Sequence, residues 1–133
     1  MRNINKSLTI AIAGATLGLA GVIVSAQKNP EAAKVKNPVA ASPESLERGK
    51  GEFNRLCANC HGLNGKGGPG NDLTPPAPDL TVLDLKFGSS DGELFYTIKN
   101  GVGPDFNMGA WGQQGVKDQD IWNIINYVKT LRK

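Results

Sequence analysis

The stretch Cys57-Ala58-Asn59-Cys60-His61 decides how this chain folds, because it brings both cysteines and the single histidine of the 133-residue sequence together. Two thiols three positions apart, followed directly by an imidazole, form the attachment signature of a c-type haem. The thiols can add to the two vinyl groups on one edge of the porphyrin, and the adjacent imidazole then coordinates the iron. The sequence therefore predicts one covalently attached haem c, with Cys57 and Cys60 as its anchors and His61 as an iron ligand.

Two other interpretations of the cysteine pair are weaker. A thioredoxin-like dithiol requires a βαβ context, and the sequence shows no period-2 alternation long enough for a strand. A zinc site closed by four protein ligands would need another cysteine or histidine, which the chain lacks. The haem interpretation is therefore preferred over a redox dithiol or a zinc site.

The second axial ligand of the iron is predicted by elimination. The chain has no second histidine, and Met108 is its only methionine besides the initiator Met1. Met108 lies in a loop, 101–115, that is punctuated by glycine and can reach the far face of a haem. We therefore predict His61 and Met108 as the iron ligands, with a methionine that fills a core gap as the alternative. An iron with six ligands has no open site, which favours electron transfer over oxygen or peroxide chemistry.

Three helices are predicted, all after residue 42. Ser42-Pro43-Glu44 supplies an N-cap, a proline at the first helical position and an acid in the first turn, and so opens a helix that runs towards Cys57. The segment 90–93 is a capping box that opens a helix over 91–100. Apolar residues at helical spacing predict a third helix over 118–131.

The stretch 62–88 between the first two helices is dominated by Gly, Pro, Asn and Asp and shows no strand pattern. An irregular stretch of this length suits a compact domain only if it wraps something that is not protein. The predicted fold class is therefore a small, loop-rich, all-α domain wrapped around one haem.

The first 42 residues have a different composition. Met1–Lys6 carries two basic residues and Leu8–Ala26 carries no charge, which predicts an export signal over 1–26. The apolar run of about 19 residues approaches the length of a spanning helix, so a retained membrane anchor is the alternative to cleavage. Residues 27–42 are polar, contain two prolines and lack aromatic residues, which predicts a flexible linker before a domain at 43–133.

The formal net charge of +3 does not indicate a nucleic-acid partner. The basic excess lies in the first 42 residues, and the predicted domain is near neutral. No nucleic acid is therefore expected among the partners.

Over about residues 45–132 the chain resembles the class I c-type cytochromes, especially the small bacterial single-haem type. In that family a glycine on the first helix lets the last helix cross closely, and two residues of the last helix pack on the resulting Gly/Phe face. The residues that carry the resemblance, besides the haem motif, are Met108, Gly49, Phe53, Ile124 and Tyr127.

The resemblance implies further site residues. Pro78, in Ala77-Pro78-Asp79-Leu80, matches the family's proline whose carbonyl accepts the proximal histidine Nδ1–H. The segment 107–111 is similar to the axial-methionine motif but has Gly109 where proline is common. Trp111, close to Met108 in sequence, is the candidate for a neighbour of the haem.

The expected function is one-electron transfer between redox proteins, a donor and an acceptor, in the periplasm or on the outer face of the cytoplasmic membrane. On this interpretation the chain is not an enzyme, and the N-terminal segment offers a means of membrane association. Two alternatives stay open. One is a fixed haem c subunit of a membrane-bound oxidase, reductase or dehydrogenase complex, and the other is a haem enzyme or gas sensor whose Met108 ligand dissociates.

Overall fold

The regular structure of the chain is helical in the parts that the computed structural model describes, residues 28–67, 73–103 and 108–133. A 3-10 turn and four α-helices follow one another in these ranges: Ala32–Lys34, α1 Pro43–Leu56, α2 Ala58–His61, α3 Asp91–Asn100 and α4 Asp118–Leu131. The all-α, loop-rich fold class is confirmed. The predicted signal or anchor, residues 1–26, lies outside the described residues.

Local hydrogen bonds explain where α1 and α3 begin. Ser42 Oγ accepts from the Ser45 amide at 3.2 Å, and Pro43 occupies the first turn of α1. At the start of α3 the Glu93 amide donates to Ser90 Oγ at 3.3 Å, and the Ser90 amide donates to the Glu93 carboxylate at 3.0 Å. Such caps satisfy amides that have no partner within the helix and contribute about 1 kcal/mol each.

The close crossing of α1 and α4 forms the centre of the core. A Cβ on Gly49 would lie 2.0 Å from the main-chain oxygen of Asn123, so only glycine permits this approach. One turn further along α1, the ring of Phe53 packs on the ring of Tyr127 with centroids 5.4 Å apart. Phe53 and Ile124 are almost completely buried at the crossing, which agrees with the packing that the family resemblance implies.

A buried polar network accompanies this crossing. Ser45 Oγ donates to Asn123 Oδ1 at 2.7 Å, and Asn126 Nδ2 donates to Ser45 Oγ at 2.9 Å. Asn126 Nδ2 also donates to the Val39 carbonyl at 3.0 Å. The network therefore connects α1 and α4 with the chain that precedes α1.

Residues 28–41, which we call the N-terminal strap, lie against α3 and α4. Asn37 Nδ2 donates to the Trp122 carbonyl at 3.1 Å and to Asn126 Oδ1 at 2.9 Å. Ala32 is buried, and a Cβ on Gly92 of α3 would lie 1.9 Å from its carbonyl oxygen. The polar composition predicted a flexible linker here; the structure instead gives the described part of it, 28–41, specific contacts with the domain. The exact domain boundaries stay predictions.

The segments between α2 and α3 have no regular secondary structure where the chain is described, as predicted. The Leu80 amide donates to the Gly65 carbonyl at 2.6 Å, and the Lys133 amide donates to the Thr81 carbonyl at 3.2 Å. These two bonds connect the loop after the haem motif with the end of α4. Within the described ranges, every helix is too short or too polar to cross a membrane.

Candidate haem site

The cysteine and histidine side chains lie on one helical turn that follows α1 directly. The Cys57 amide donates to the Phe53 carbonyl at 2.8 Å, while the Cys60 and His61 amides donate to the Cys57 carbonyl at 3.1 and 2.9 Å. These bonds make Cys57-Ala58-Asn59-Cys60-His61 helical, so the cysteines are separated by about one turn. Gly62, with φ of 73°, ends the turn in a conformation that favours glycine. The spacing suits two bonds to one edge of a flat macrocycle.

The electrostatics of Cys57 argue against a redox-active dithiol. The thiol is 8% exposed and is not joined to Cys60 in a disulfide. Burial raises the pKa of the Cys57 thiol to about 12, and the neighbouring Cys60 acts in the same direction. A redox-active dithiol needs a thiol with a lowered pKa, because the thiolate is the nucleophile. The buried thiol of Cys57 is therefore unsuited to act as the nucleophile of such a dithiol.

The imidazole of His61 is held in the form that binds a metal. Its Nδ1 lies 3.3 Å from the Pro78 carbonyl oxygen, the contact that the family resemblance implies for Pro78. Burial lowers the pKa of His61, although the Pro78 carbonyl acts in the opposite direction. A neutral ring that donates through Nδ1 leaves the lone pair of Nε2 available to a metal. Among the described residues the ring makes no other hydrogen bond.

The loop between α3 and α4 positions Met108 and Trp111. The Val102 amide donates to the Met108 carbonyl at 3.0 Å, and the Trp111 amide donates to the Ile98 carbonyl at 3.1 Å. A Cβ on Gly101 would lie 2.6 Å from the Met108 carbonyl oxygen, and Gly101 has a φ of 73°. The backbone on each side of residues 104–107, which lie outside the described ranges, is therefore fixed to α3.

The Met108 and Trp111 side chains pack against the same buried cluster that contains Cys57. Both are half-buried rather than enclosed by protein. The structure thus gathers the six predicted site residues in two places: the haem-binding turn with Pro78, and this cluster, with Cys57 common to both. Cys60 is half-buried on the same turn. The Val102–Met108 bridge could not be predicted from the sequence, because a single pair of backbone groups leaves no pattern of residue types.

The donor set fits a haem c and does not fit a chelated metal ion. In the described parts of the chain, no group of three or more His, Cys, Asp or Glu residues could hold a metal. A haem needs only thiols for attachment and axial donors for the iron, because the porphyrin supplies the other four ligands. Cys57, Cys60, His61 and Met108 are of these types.

A comparison with protein families matches most of the domain. The family described as "Cytochrome C oxidase, cbb3-type, subunit III" matches residues 44–128. The chain is 30% identical over 99 residues to a Cbb3-type cytochrome c oxidase subunit CcoP of Azospirillum brasilense, which covers 67% of the chain and 32% of the relative. It is 28% identical over 97 residues to the subunit of the same name from Azospirillum sp. (strain B510), which covers 65% of the chain and 31% of the relative. The chain therefore spans about a third of the length of these curated relatives.

Two solved structures share the fold. A chain of the Kuenenia stuttgartiensis reducing HAO-like protein complex superposes with a TM-score of 0.63 and 21% identity, over 74% of this chain and 50% of that one. Cytochrome CL of Methylophaga aminisulfidivorans gives a TM-score of 0.55 and 24% identity, over 67% of this chain and 54% of that one. The expected cytochrome c-like helical fold is confirmed by this likeness.

Proposed function

The chain belongs to the cbb3-type cytochrome c oxidase subunit III family, and on that premise we propose that it carries single electrons on one haem c attached to Cys57 and Cys60. Membership of an electron-transfer family agrees with the prediction that the chain is not itself an enzyme. When bound, the haem supplies the Fe(III)/Fe(II) couple, and the chain supplies attachment, axial ligands and exclusion of water.

The observation that carries the proposal is the orientation of His61. The ring lies on the same helical turn as the two thiols, is 8% exposed, and its Nδ1 faces the Pro78 carbonyl at 3.3 Å. That contact fixes both the tautomer and the direction of the ring, so that Nε2 is the coordinating atom. A ring held in this way keeps its position whether the iron is oxidised or reduced, which limits the reorganisation that each electron transfer requires.

We assign the second axial position to Met108. Its thioether is a soft, neutral donor that raises the reduction potential relative to harder ligands. The assignment is supported by the hydrogen bond between the Val102 amide and the Met108 carbonyl and by the packing of the side chain on the core cluster. Trp111, three residues further along the same loop, is proposed as a haem neighbour that excludes water.

A redox titration of the purified mature protein tests the proposed function. We expect a Soret band, the added mass of one macrocycle bound to the peptide that contains Cys57 and Cys60, and a one-electron Nernst curve. A colourless protein, or a titration that requires two electrons, would refute the proposal. The matched variant Cys60→Ser should keep a haem through the remaining thioether but attach it less efficiently.

A second candidate is a fixed haem subunit of a membrane-bound oxidase complex. It is favoured by the two curated relatives, which are described as oxidase subunits, and by the uncharged run Leu8–Ala26, which approaches the length of a membrane anchor. Under this candidate residues 1–26 are retained as an anchor and the domain lies outside the cytoplasm. Mass spectrometry of the mature chain discriminates, because a freely diffusing carrier requires that this segment be removed.

A further inference from the structure

The exposed large apolar side chains are concentrated around the point where the described chain begins. In the described ranges they are Val35, Leu63, Val82, Leu83 and Tyr96. Val35 and Tyr96 line one groove together with Asn29, at the start of the strap. Leu83 directly precedes Asp84, whose carboxylate forms an ion pair with the ammonium of Lys28. Val35 and Tyr96 thus lie by Asn29, and Leu83 with its neighbour Val82 lies next in sequence to the ion-pair partner of Lys28. We call Val35, Val82, Leu83 and Tyr96 the exit patch.

Chain length limits how far the preceding apolar sequence can begin from this patch. Leu8–Ala26 carries no charged residue, and only Gln27 separates it from Lys28. Two residue steps span at most about 7 Å of extended chain. The ion pair between Lys28 and Asp84 brings the first described residue of the strap close to Leu83. If the uncharged run lies in a bilayer, the exit patch lies at the surface of the same bilayer.

The chemistry of the patch and its surroundings suits such a surface. Aliphatic side chains at a loop tip can enter the boundary between headgroups and acyl chains, and tyrosine is enriched at that depth. The strap that borders the patch carries three lysines; Lys28 pairs with Asp84 and Lys34 with Glu31, which leaves the exposed Lys36 as the excess positive charge. Lysines close to a membrane surface are attracted to anionic lipids. The acidic Asp84 at the edge of the patch is neutralised by Lys28.

We propose that the exit patch is a membrane-contact surface that seats the haem domain on an anionic phospholipid bilayer. The proposal rests on the membrane-bound form of the proposed function. Asn37 hydrogen-bonds the strap to Trp122 and Asn126 of α4, so the strap holds the domain in one orientation relative to the exit patch. Membrane attachment would then fix the tilt of the domain, and not only its distance from the lipid.

Leu63 and Leu83 provide a matched pair for the test. Their exposures are 70% and 69%, and only Leu83 belongs to the exit patch. Leu63→Cys and Leu83→Cys are made separately in the full-length chain, which is reconstituted in vesicles of equimolar phosphatidylcholine and phosphatidylglycerol. The rate of reaction with a water-soluble maleimide is measured for each variant and divided by its rate in urea, which removes intrinsic differences between the thiols.

The expected result is a several-fold slower normalised rate at position 83 than at position 63, since a thiol withdrawn into the lipid boundary ionises and reacts poorly. Equal rates would refute the membrane contact. If the thiol at position 83 is protected from the maleimide only when another subunit co-purifies, the patch contacts a protein partner, and the membrane contact is refuted as well. Recovery of the native chain without residues 1–26 and without affinity for the vesicles would also refute it. The visible spectrum of each variant is recorded in parallel, because loss of the haem would contradict the proposed function and not the contact.

Discussion

Replacing Gly49 by alanine should weaken the fold by about 2 kcal/mol, through a clash that can be read directly from the α1–α4 crossing. The added Cβ would lie 2.0 Å from the Asn123 carbonyl oxygen, 2.6 Å from its carbon and 3.0 Å from the Tyr127 Cβ. The first two atoms are backbone, so the clash is relieved only if one helix moves by more than 1 Å, roughly the difference from an ordinary contact. Because the clash is with backbone, the cost lies at the upper end of the about 1–3 kcal/mol typical of overpacking, and a gain of about 1 kcal/mol in helix propensity leaves a net loss of about 2 kcal/mol.

Gly51 on the same helix is the matched control. A Cβ at this position meets nothing within 4 Å, so Gly51→Ala gains helix propensity without a clash and should stabilise the protein by about 0.5–1 kcal/mol. The free energy of unfolding is measured for the haem-loaded wild-type and variant proteins by urea titration, with far-ultraviolet circular dichroism as the signal. The reasoning is refuted if Gly49→Ala is as stable as the wild type or behaves like Gly51→Ala.

Three further predictions concern the candidate haem site, the stability of the protein at acid pH, and the strap. Met108→Ala should lower the midpoint potential and abolish the near-infrared sulfur-to-iron band. Val116→Ala, which also removes apolar atoms from the core, should change neither. An unaltered spectrum of Met108→Ala would mean that another residue is the sixth ligand. Burial alone would raise the pKa of Glu93, but hydrogen bonds at the start of α3 outweigh it and lower the pKa below 4.5. The wild type should therefore have a higher free energy of unfolding than Glu93→Gln above pH 4.5, and this difference should disappear as the pH falls through the lowered pKa of Glu93. Urea titrations of both proteins at several pH values would measure it. A difference that grows towards low pH would contradict the predicted direction. Asn37→Ala removes three side-chain hydrogen bonds. It should cost about 2–3 kcal/mol and speed proteolysis of the strap, while the exposed neighbour Lys36→Ala should do neither; equal proteolysis rates would argue against a strap held by Asn37.

The parts of the fold that the sequence predicts well are those with a local cause. Ser42 and Ser90 cap helices through atoms three residues away, so their positions fix the starts of α1 and α3 without knowledge of the rest of the chain. The haem motif is equally local. The first turn of α4 was placed correctly by its apolar period alone, although Lys117 provides no side-chain cap.

The strap shows why other parts could not be predicted. Its contacts depend on the Ala32 carbonyl fitting over Gly92 and on Asn37 reaching α4, across 85 residues of sequence in the case of Trp122. Neither contact buries a large apolar side chain, so neither produces a pattern in the hydropathy or in the spacing of apolar residues. Gly92 lowers the helix propensity of α3, and the reason for a glycine there lies in the Ala32 carbonyl of the strap. The Pro78 assignment also needed the family resemblance, because a carbonyl acceptor is not encoded by residue type.

The strap has a practical consequence for anyone who shortens this protein. A fragment that starts at Pro43, where the composition changes, would expose the groove over Gly92 and take away the Val39 carbonyl that Asn126 uses as an acceptor. Expression trials on such a fragment would therefore report a weakened α4 and not the intrinsic behaviour of the domain. Cloning from Lys28 onwards keeps the arrangement complete, so that helix α4 is braced on one flank by the strap and at its end by the bond from Lys133 to Thr81.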